Sequence, residues 1–262
     1  MMTALPVPPS LAPFVAGMSI QETVEEGALP DPYKILPRPF PVLGFQSRGR
    51  IGVLRESGED LLSPSGFTGL CTSHRWFRPH PGTRTVLVVL KPHGAFPLLG
   101  QDLSAMTDQH AGLESLLSAA PLRILGERLA ESRSDAEAAG LVGSFLQSLA
   151  EQSRATVHPA VAQATRRMLA GHGSEPVERI ADDLGVGRRH LERLFRLQVG
   201  LAPKRFASLA RFDWVIRHLD SRASWTDLAL EAGYADQAHL IRSFAAFAGT
   251  TPGRHVLVPA AP

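Results

Sequence analysis

The spacing of hydrophobic residues changes near Pro97, from patterns typical of strands to patterns typical of helices. Before that point the apolar runs are short, and the run at 83–92 is nearly continuous and rich in β-branched residues. Such a run is typical of a buried central strand. Residues 1–50 are dense in proline, which predicts loops and short edge strands. The predicted strands are Pro41–Phe45, Gly52–Arg55, Gly66–Thr72 and Thr83–Pro92.

After Pro97, leucines recur three and four residues apart, which predicts amphipathic helices. Residues 151–156 are polar and predict a linker, and from His158 onward the pattern is helical with glycine and proline breaks. We therefore expect an α+β chain. A β-rich, sensor-like N-terminal domain with trailing helices should occupy residues 1–155, and an all-α domain should occupy residues 156–262.

The helical region contains an internal repeat. One copy runs from Ile180 to Pro203 and the other from Leu228 to Pro252. The offset between matched residues is 48 up to a shared glycine and 49 after it, so the second copy has one inserted residue at that point. The matched pairs are Ala181 and Ala229, Gly185 and Gly233, His190 and His239, Leu191 and Leu240, Arg193 and Arg242, Phe195 and Phe244, Gly200 and Gly249, and Pro203 and Pro252.

Each copy has the layout of a helix-turn-helix unit. A short helix ends at Gly185 or Gly233, and glycine can take the left-handed conformation of a tight turn. Between the copies, residues 203–219 begin with proline and predict one continuous helix of roughly 25 Å. In a DNA-binding helix-turn-helix unit, the second helix enters the major groove and is here called the reading helix. A spacer of that size can set two reading helices about one DNA turn, ~34 Å, apart. The two units joined by a long helix complete the predicted all-α domain.

Helix-turn-helix geometry also occurs in helical bundles that do not bind DNA. Two tandem copies, with four arginines in the second helix of the first copy, favour DNA binding. The candidate DNA-binding residues are Arg188, Arg189, Glu192, Arg193, Arg196, Lys204, Arg205, Gln237, Ala238, Ile241 and Arg242.

The first copy offers the stronger reading face. Arg189 and Arg193 are the candidates for guanine, whose O6 and N7 accept both arms of a guanidinium group. Arg196, further along the helix, is expected to meet phosphate. Glu192 has two open interpretations, acceptance from cytosine N4 or an ion pair with a neighbouring arginine.

The remaining candidates have more varied roles. Lys204 and Arg205 begin the spacer helix and are either phosphate anchors or solvated charges. In the second copy, the polar residues expected to contact bases are Gln237 and Arg242, and Ile241 is positioned for a thymine methyl group. We expect His190 and His239 to pack within the domain or to contact phosphate. Arg211 is expected to pair with another residue of the domain.

Residues 158–255 resemble the DNA-binding domain of the AraC/XylS family of bacterial transcription regulators. The resemblance is carried by LGVGRRHLERLFRLQVGLAPKRF and by the stretch from Gly233 to Arg254 with its Gly-Tyr-x-Asp-Gln-x-His motif. Residues 90–117, with the earlier SLAPFV, resemble the β-rich N-terminal domain of one subfamily. The resemblance implies a sequence-specific regulator whose partners are double-stranded DNA and RNA polymerase. Its N-terminal domain would bind a small-molecule effector or mediate homodimerisation, and no cofactor is expected.

Composition narrows the picture further. Formal net charge is +2, and residues 176–262 hold 12 Lys/Arg and 9 Asp/Glu, so the basic excess lies in the helical half. Cys71 is the single cysteine, which excludes an internal disulfide and a cysteine zinc site. There is no run of 18 apolar residues, and the first basic residue is Lys34. We therefore expect no membrane partner, no secretory signal and a cytoplasmic location.

An alternative is a β-domain enzyme or metal-binding protein with an accessory DNA-binding module. His74, His80, His93 and His110 lie in or near the β region, yet they lack metal-ligand spacing and neighbouring carboxylates. The sequence has no phosphate-binding loop, dinucleotide fingerprint or serine-hydrolase motif, so we expect no enzyme. Trp76 and Phe77 either line an effector pocket or belong to the core.

Overall fold

The structure, a computed structural model, describes residues 1–23, 29–219 and 224–255. Within these residues the N-terminal half forms two antiparallel sheets. The strands are β1 Met2–Leu5, β2 Val15–Glu22, β3 Tyr33–Ile35, β4 Val42–Arg48, β5 Ile51–Arg55, β6 Gly58–Leu61, β7 Ser65–Thr68, β8 Arg75–Pro79, β9 Arg84–Leu90 and β10 His110–Gly112. The larger sheet has the order β1-β2-β9-β4-β7-β10, and the smaller has the order β3-β8-β5-β6.

Strand β9 lies inside the larger sheet between β2 and β4, which confirms the predicted central strand. Strand β2 corrects a prediction, because it is an eight-residue interior strand rather than a loop or short edge strand. The prolines of this region cluster at 6–13 and 30–41, and residues 15–22 between them contain none, so they can pair with both neighbouring strands. The predicted strand at 66–72 is shorter than expected and ends at Thr68.

Within the described ranges, three helices belong to the N-terminal region, the first of them between β9 and β10, and six make up the C-terminal region. They are α1 Ala95–Leu99, α2 Ala119–Glu131, α3 Asp135–Gln152, α4 Pro159–Ala170, α5 Val177–Asp183, α6 Arg188–Val199, α7 Pro203–Arg217, α8 Trp225–Glu231 and α9 Gln237–Ala248. This order confirms the predicted α+β architecture with two helix-turn-helix units, α5–α6 and α8–α9, joined by a long helix. The loop at 153–158 separates α3 from α4, and the domain boundary at 155 stays a prediction.

The larger sheet uses its two faces for different purposes. Alternate side chains such as Phe45, Val86 and Val88 are fully buried in one core with residues of α2 and α3. Their neighbours Gly44 and Leu87 line a cavity on the opposite face. Side chains of a strand alternate between faces, so each of these strands serves both the helical core and the cavity.

The C-terminal helices share a second core built around α7. Phe206, Leu209 and Phe212 of this helix are fully buried, and Phe212 packs against Phe244 of α9 with ring centroids 5.3 Å apart. Leu70, from the loop after β7, is part of the same core. The long helix is therefore a buried axis, which fixes the position of both helix-turn-helix units.

None of the helices in the described ranges combines the length and the apolar character that crossing a bilayer requires.

Candidate nucleic-acid interface

The turns of the two units have the same backbone geometry. Gly185 and Gly233 have φ of 65° and 75°, in the left-handed region that favours glycine. The next residue in each turn donates its amide hydrogen to the first helix of the unit. The Val186 amide donates to Ala181 O at 3.0 Å, and the Tyr234 amide donates to Ala229 O at 2.8 Å. The first helices begin 48 residues apart and the second helices 49 apart, so the inserted residue lies in the second turn.

The insertion changes how the second helix of each unit begins. Helix α6 begins after Gly187, which has no side chain to cap it. Helix α9 begins after Asp236, whose Oδ1 accepts the His239 amide hydrogen at 2.6 Å. Free amide hydrogens at a helix N-terminus attract anions, and a carboxylate there competes with them. The start of α6 is therefore better suited to approach a DNA phosphate than the start of α9.

The exposed stripe of α6 contains the arginines predicted from the sequence. Glu192 is half-buried, and its Oε1 lies 2.7 Å from Nη2 of Arg196, so of its two open interpretations the structure contains the ion pair. Arg188 pairs with Glu178 at 3.0 Å. Arg193 lies 3.4 Å from Nδ1 of its helical neighbour His190, a long contact between exposed side chains. Arg189 is exposed and, within the described ranges, has no ion pair.

The exposed stripe of α9 is narrower than predicted. Gln237, Ala238 and Arg242 are exposed, and Oε1 of Gln237 accepts the Thr226 hydroxyl at 3.3 Å. The prediction that Ile241 turns outward with them is wrong, because Ile241 is half-buried and packs against the C-terminal core. Its position is only one residue, or 100° of helix, from a buried leucine, so it lies at the border of the apolar face.

The long helix begins with two exposed cations that differ in their contacts. The Arg205 guanidinium lies 4.8 Å from the ring centre of Phe247, which holds it by a cation–π contact. Lys204 is exposed at the same helix turn. Further along, Nη2 of Arg211 donates to Gly173 O at 2.6 Å, which confirms the predicted pairing within the domain.

The two repeated histidines pack against aromatic neighbours. The ring of His190 meets that of His158 with centroids 5.8 Å apart, and the ring of His239 meets that of Tyr234 at 5.1 Å. Both contacts are edge-on. Both histidines thus have a ring contact, although His190 remains exposed, and the choice between packing and phosphate contact stays a prediction.

The N-terminal domain contacts the carboxyl end of α9. The backbone amide of His74 donates to Phe247 O at 2.9 Å, and Nζ of Lys34 donates to Ala248 O at 2.6 Å. The ring of His74 lies directly against Gly249, where an added methyl group would overlap it. These contacts satisfy the carbonyl groups that a helix leaves unpaired at its end.

The carboxyl end of α6 and the long helix have equivalent contacts. The Thr107 hydroxyl donates to Gly200 O at 2.6 Å. Arg38 Nε donates to Oδ1 of Asp213 at 3.1 Å, and that buried carboxylate also pairs with Arg217 at 3.0 Å. The N-terminal domain thus holds both reading helices at the ends opposite to their exposed N-terminal residues.

The four histidines of the alternative metal site lie in separate environments. His80 pairs with Glu59 at 2.7 Å, and Nδ1 of His110 lies 2.9 Å from the Thr68 hydroxyl. Nδ1 of His93 lies 3.0 Å from the hydroxyl of the buried Thr165 on α4, and burial lowers the pKa of His93 to about 4. Across the described ranges, no group of His, Cys, Asp or Glu residues is arranged to hold a metal ion.

A cavity of about 210 Å³ lies between the two sheets of the N-terminal domain. Phe77 lines it, but its neighbour Trp76 is 40% exposed and belongs neither to the cavity nor to the core. The alternation of side chains along β8 separates these two rings, so both interpretations are wrong for Trp76. Cys71 also lines the cavity, and burial raises the pKa of its thiol.

Two family models match the chain. A helix-turn-helix domain matches residues 180–256, and a domain of unknown function, DUF6597, matches residues 3–112. The chain has no significant match among curated proteins.

The chain is also similar in structure to several proteins of known structure. A crystal structure of ToxT from Vibrio cholerae O395 is 10% identical, with a TM-score of 0.46 over 90% of this chain and 94% of that chain. The C-terminal domain of AraT, a response regulator from Geobacillus stearothermophilus, is 17% identical, with a TM-score of 0.37 over 40% and 93%. The AraC-like transcriptional activator CuxR is 14% identical, with a TM-score of 0.31 over 85% and 82%.

Proposed function

We propose that this chain is a DNA-binding transcription regulator of the AraC family that reads two adjacent major grooves with α6 and α9 under the control of its N-terminal domain. The match of a helix-turn-helix domain to residues 180–256 supports the DNA-binding role. The observation that carries this proposal is the arrangement of the repeat. Two units with the same turn geometry are fixed on one buried helix, and the second helix of each exposes its N-terminal half. That half is the part of a reading helix that contacts base edges.

In the first unit, Arg189 and Arg193 read bases. Each can give two parallel hydrogen bonds to guanine O6 and N7. Arg196 is held by Glu192 in a fixed position further along α6, and we assign it to phosphate. We also assign Arg188, at the start of α6, to phosphate. Its partner Glu178 is exposed, so this weak surface ion pair can be replaced by a contact with phosphate.

Lys204 and Arg205 serve as further phosphate contacts beside the first unit. In the second unit, Gln237 and Arg242 are the polar readers, and Ala238 allows close approach to the groove. Ile241 keeps only a partial exposure for a thymine methyl group. The carboxylate of Asp236 at the start of α9 repels phosphate, so this unit contributes less to the overall affinity for DNA.

Control by the N-terminal domain is supported by its contacts with both reading helices. Thr107 holds the end of α6, and Lys34 and His74 hold the end of α9. A change in the N-terminal domain would therefore alter the relative orientation of two helices that must enter successive grooves together. The cavity between the sheets is the proposed site of a small-molecule effector. RNA polymerase and a second copy of the chain are further proposed partners, the cytoplasm is the proposed location, and regulation rather than catalysis is the proposed activity.

The test is selection of bound sequences from random double-stranded DNA by the full-length chain. We expect a motif with two half-sites about 10 bp apart, as one helical turn requires. Arg193→Ala should weaken binding by ~1–3 kcal/mol and relax one base position. Arg196→Ala is the matched comparison, and it should weaken all sequences alike and reduce the salt slope by about one. Absence of any enriched motif, or identical sequence profiles for the two variants, would contradict these assignments.

A further inference from the structure

The cavity between the two sheets has walls that indicate what it binds. Its lining comes from alternate residues of the larger sheet, with Gly44 and Gly66 adjacent in the register of β4 and β7. Gly44 leaves an open floor, the ring of His110 covers Gly66, and Phe77 and Ile51 of the smaller sheet face the floor. The inference that follows rests on the proposed function of this cavity as an effector site.

Three polar atoms of the lining residues are buried without a hydrogen-bond partner, among the residues that the structure describes. They are Oε1 of Gln46, Oγ1 of Thr85 and Nε2 of His110. Gln46 and Thr85 are directly opposite each other in the register of β4 and β9, so they share one end of the cavity. Buried polar groups without a partner lower the stability of a protein and mark places where a bound molecule gains affinity.

The orientation of the Gln46 amide decides which partner it lacks. Its Nε2 donates to Ser63 O at 3.0 Å, so the amide nitrogen is satisfied and the oxygen is left. An amide oxygen accepts hydrogen bonds only. The missing partner must therefore bring an N–H or O–H group to this end of the cavity.

The charged residues of the lining are already engaged. Arg38 is paired with Asp213, and Arg75 donates to the backbone carbonyl of Asp108. Burial lowers the pKa of His110, so its imidazole is neutral near pH 7. A carboxylate ligand would offer only acceptors to Gln46 Oε1, and a cation would lie near two arginines.

We propose that the cavity binds an uncharged, largely apolar small molecule that donates an N–H or O–H hydrogen bond to Gln46 Oε1. A second polar group of this molecule would contact the hydroxyl of Thr85, which lies opposite Gln46 in the register of β4 and β9. A cavity of about 210 Å³ has room for one aromatic ring with a substituent, since an engineered apolar cavity of about 150 Å³ holds benzene.

Three probes built on the same benzoyl group separate the chemical classes. Benzamide is neutral and has N–H donors, benzoate is an anion without donors, and N,N-dimethylbenzamide is neutral without donors. The dissociation constants are measured for the full-length chain at pH 7.5 by ligand-observed NMR titration. We expect benzamide to bind at least tenfold more tightly than benzoate and at least fivefold more tightly than N,N-dimethylbenzamide.

Variants place the binding in the cavity. Gln46→Leu should weaken benzamide at least fivefold and leave N,N-dimethylbenzamide unchanged, and Gln147→Leu on the exposed face of α3 is the control. Gly44→Ala should weaken both amides, because its methyl group occupies the cavity floor. That methyl group meets Leu87 and Thr85 at ordinary contact distances of 3.8 and 3.9 Å, so the variant folds.

Each outcome bears on a different statement. Tighter binding of benzoate than of benzamide would overturn the uncharged class and leave the cavity as an effector site. Equal effects of Gln46→Leu and Gln147→Leu would overturn the assignment to Gln46. Failure of all three probes to bind would overturn both the ligand class and the effector site, and it would leave DNA binding by α6 and α9 intact.

Discussion

Arg38 connects the cavity to the long helix, because its side chain lines the cavity and its Nε donates to Oδ1 of Asp213 at 3.1 Å. The two residues are 175 positions apart in the chain. The carboxylate of Asp213 is 4% exposed and has Arg217 as its second cationic partner. A molecule in the cavity would therefore touch a residue that is bonded to the axis of the DNA-binding region.

Removal of this contact should destabilise the chain. Arg38→Met keeps the apolar stem but leaves a buried carboxylate with one cation, and we expect the free energy of unfolding to fall by about 1–2 kcal/mol. The measurement is chemical denaturation of the full-length chain. Arg55→Met is the control, because Arg55 and Asp60 form an ion pair with both side chains more than half exposed. Its effect should stay within about 1 kcal/mol, and equal losses would show that Arg38 has no special role.

A methyl group at Gly249 should separate α9 from the N-terminal domain. Gly249 and Gly185 have φ of 67° and 65°, so alanine costs roughly 1–2 kcal/mol of backbone strain at either position. Only at Gly249 does the methyl group also overlap the ring of His74, whereas at Gly185 it meets open space. We expect hydrogen exchange at 245–249 to rise in Gly249→Ala and to stay near the native rate in Gly185→Ala. Similar exchange in the two variants would argue against the contact.

The two half-sites of the selected DNA motif should differ in sharpness. Helix α6 has two arginines able to read guanine, and each bidentate contact provides ~1–3 kcal/mol of discrimination. Helix α9 has only one arginine and one glutamine on its exposed stripe. The half-site under α9 should therefore be degenerate and depend on DNA shape. Sequence selection with Arg193→Ala and Arg242→Ala is the measurement, and loss of the sharper half with Arg242→Ala would contradict the prediction.

Acid should destabilise the contact between the N-terminal domain and α4 through His93. Burial lowers the pKa of His93 from 6.5 to about 4. Because the unfolded chain binds the proton more readily, the free energy of unfolding should fall as pH decreases from about 6.5 to about 4. His93→Asn keeps a donor near the Thr165 hydroxyl and cannot titrate. The difference between the native and variant curves, measured by denaturation from pH 4 to pH 7, isolates this contribution, and parallel curves would contradict it.

The repeat was predictable because its signals are local. A glycine, a plugging residue and a helical stripe recur within 25 residues, and the change of offset from 48 to 49 is visible in the sequence. Strand β2 was missed because prolines on both sides dominate the composition of its region. Ile241 was misplaced because a residue at the border of a helical stripe is decided by its neighbours in space.

The cavity and the contacts between the N-terminal and C-terminal halves could not be predicted from the sequence. Lys34 and Ala248 are 214 positions apart, and no pattern in either segment indicates the other. Trp76 shows the same limit, since strand alternation fixes which of two neighbouring rings faces inward only once the register is known.

The alternation along β4 and β9 separates two kinds of evolutionary change. Substitutions at 42, 44, 46, 85, 87 and 89 reshape the cavity, while the intervening positions keep the helices seated on the sheet. A lineage can thus acquire a new chemical specificity through one set of codons without passing through unstable intermediates in the other. A library randomised at those six positions alone is a practical route to biosensors that respond to chosen compounds on an unchanged scaffold.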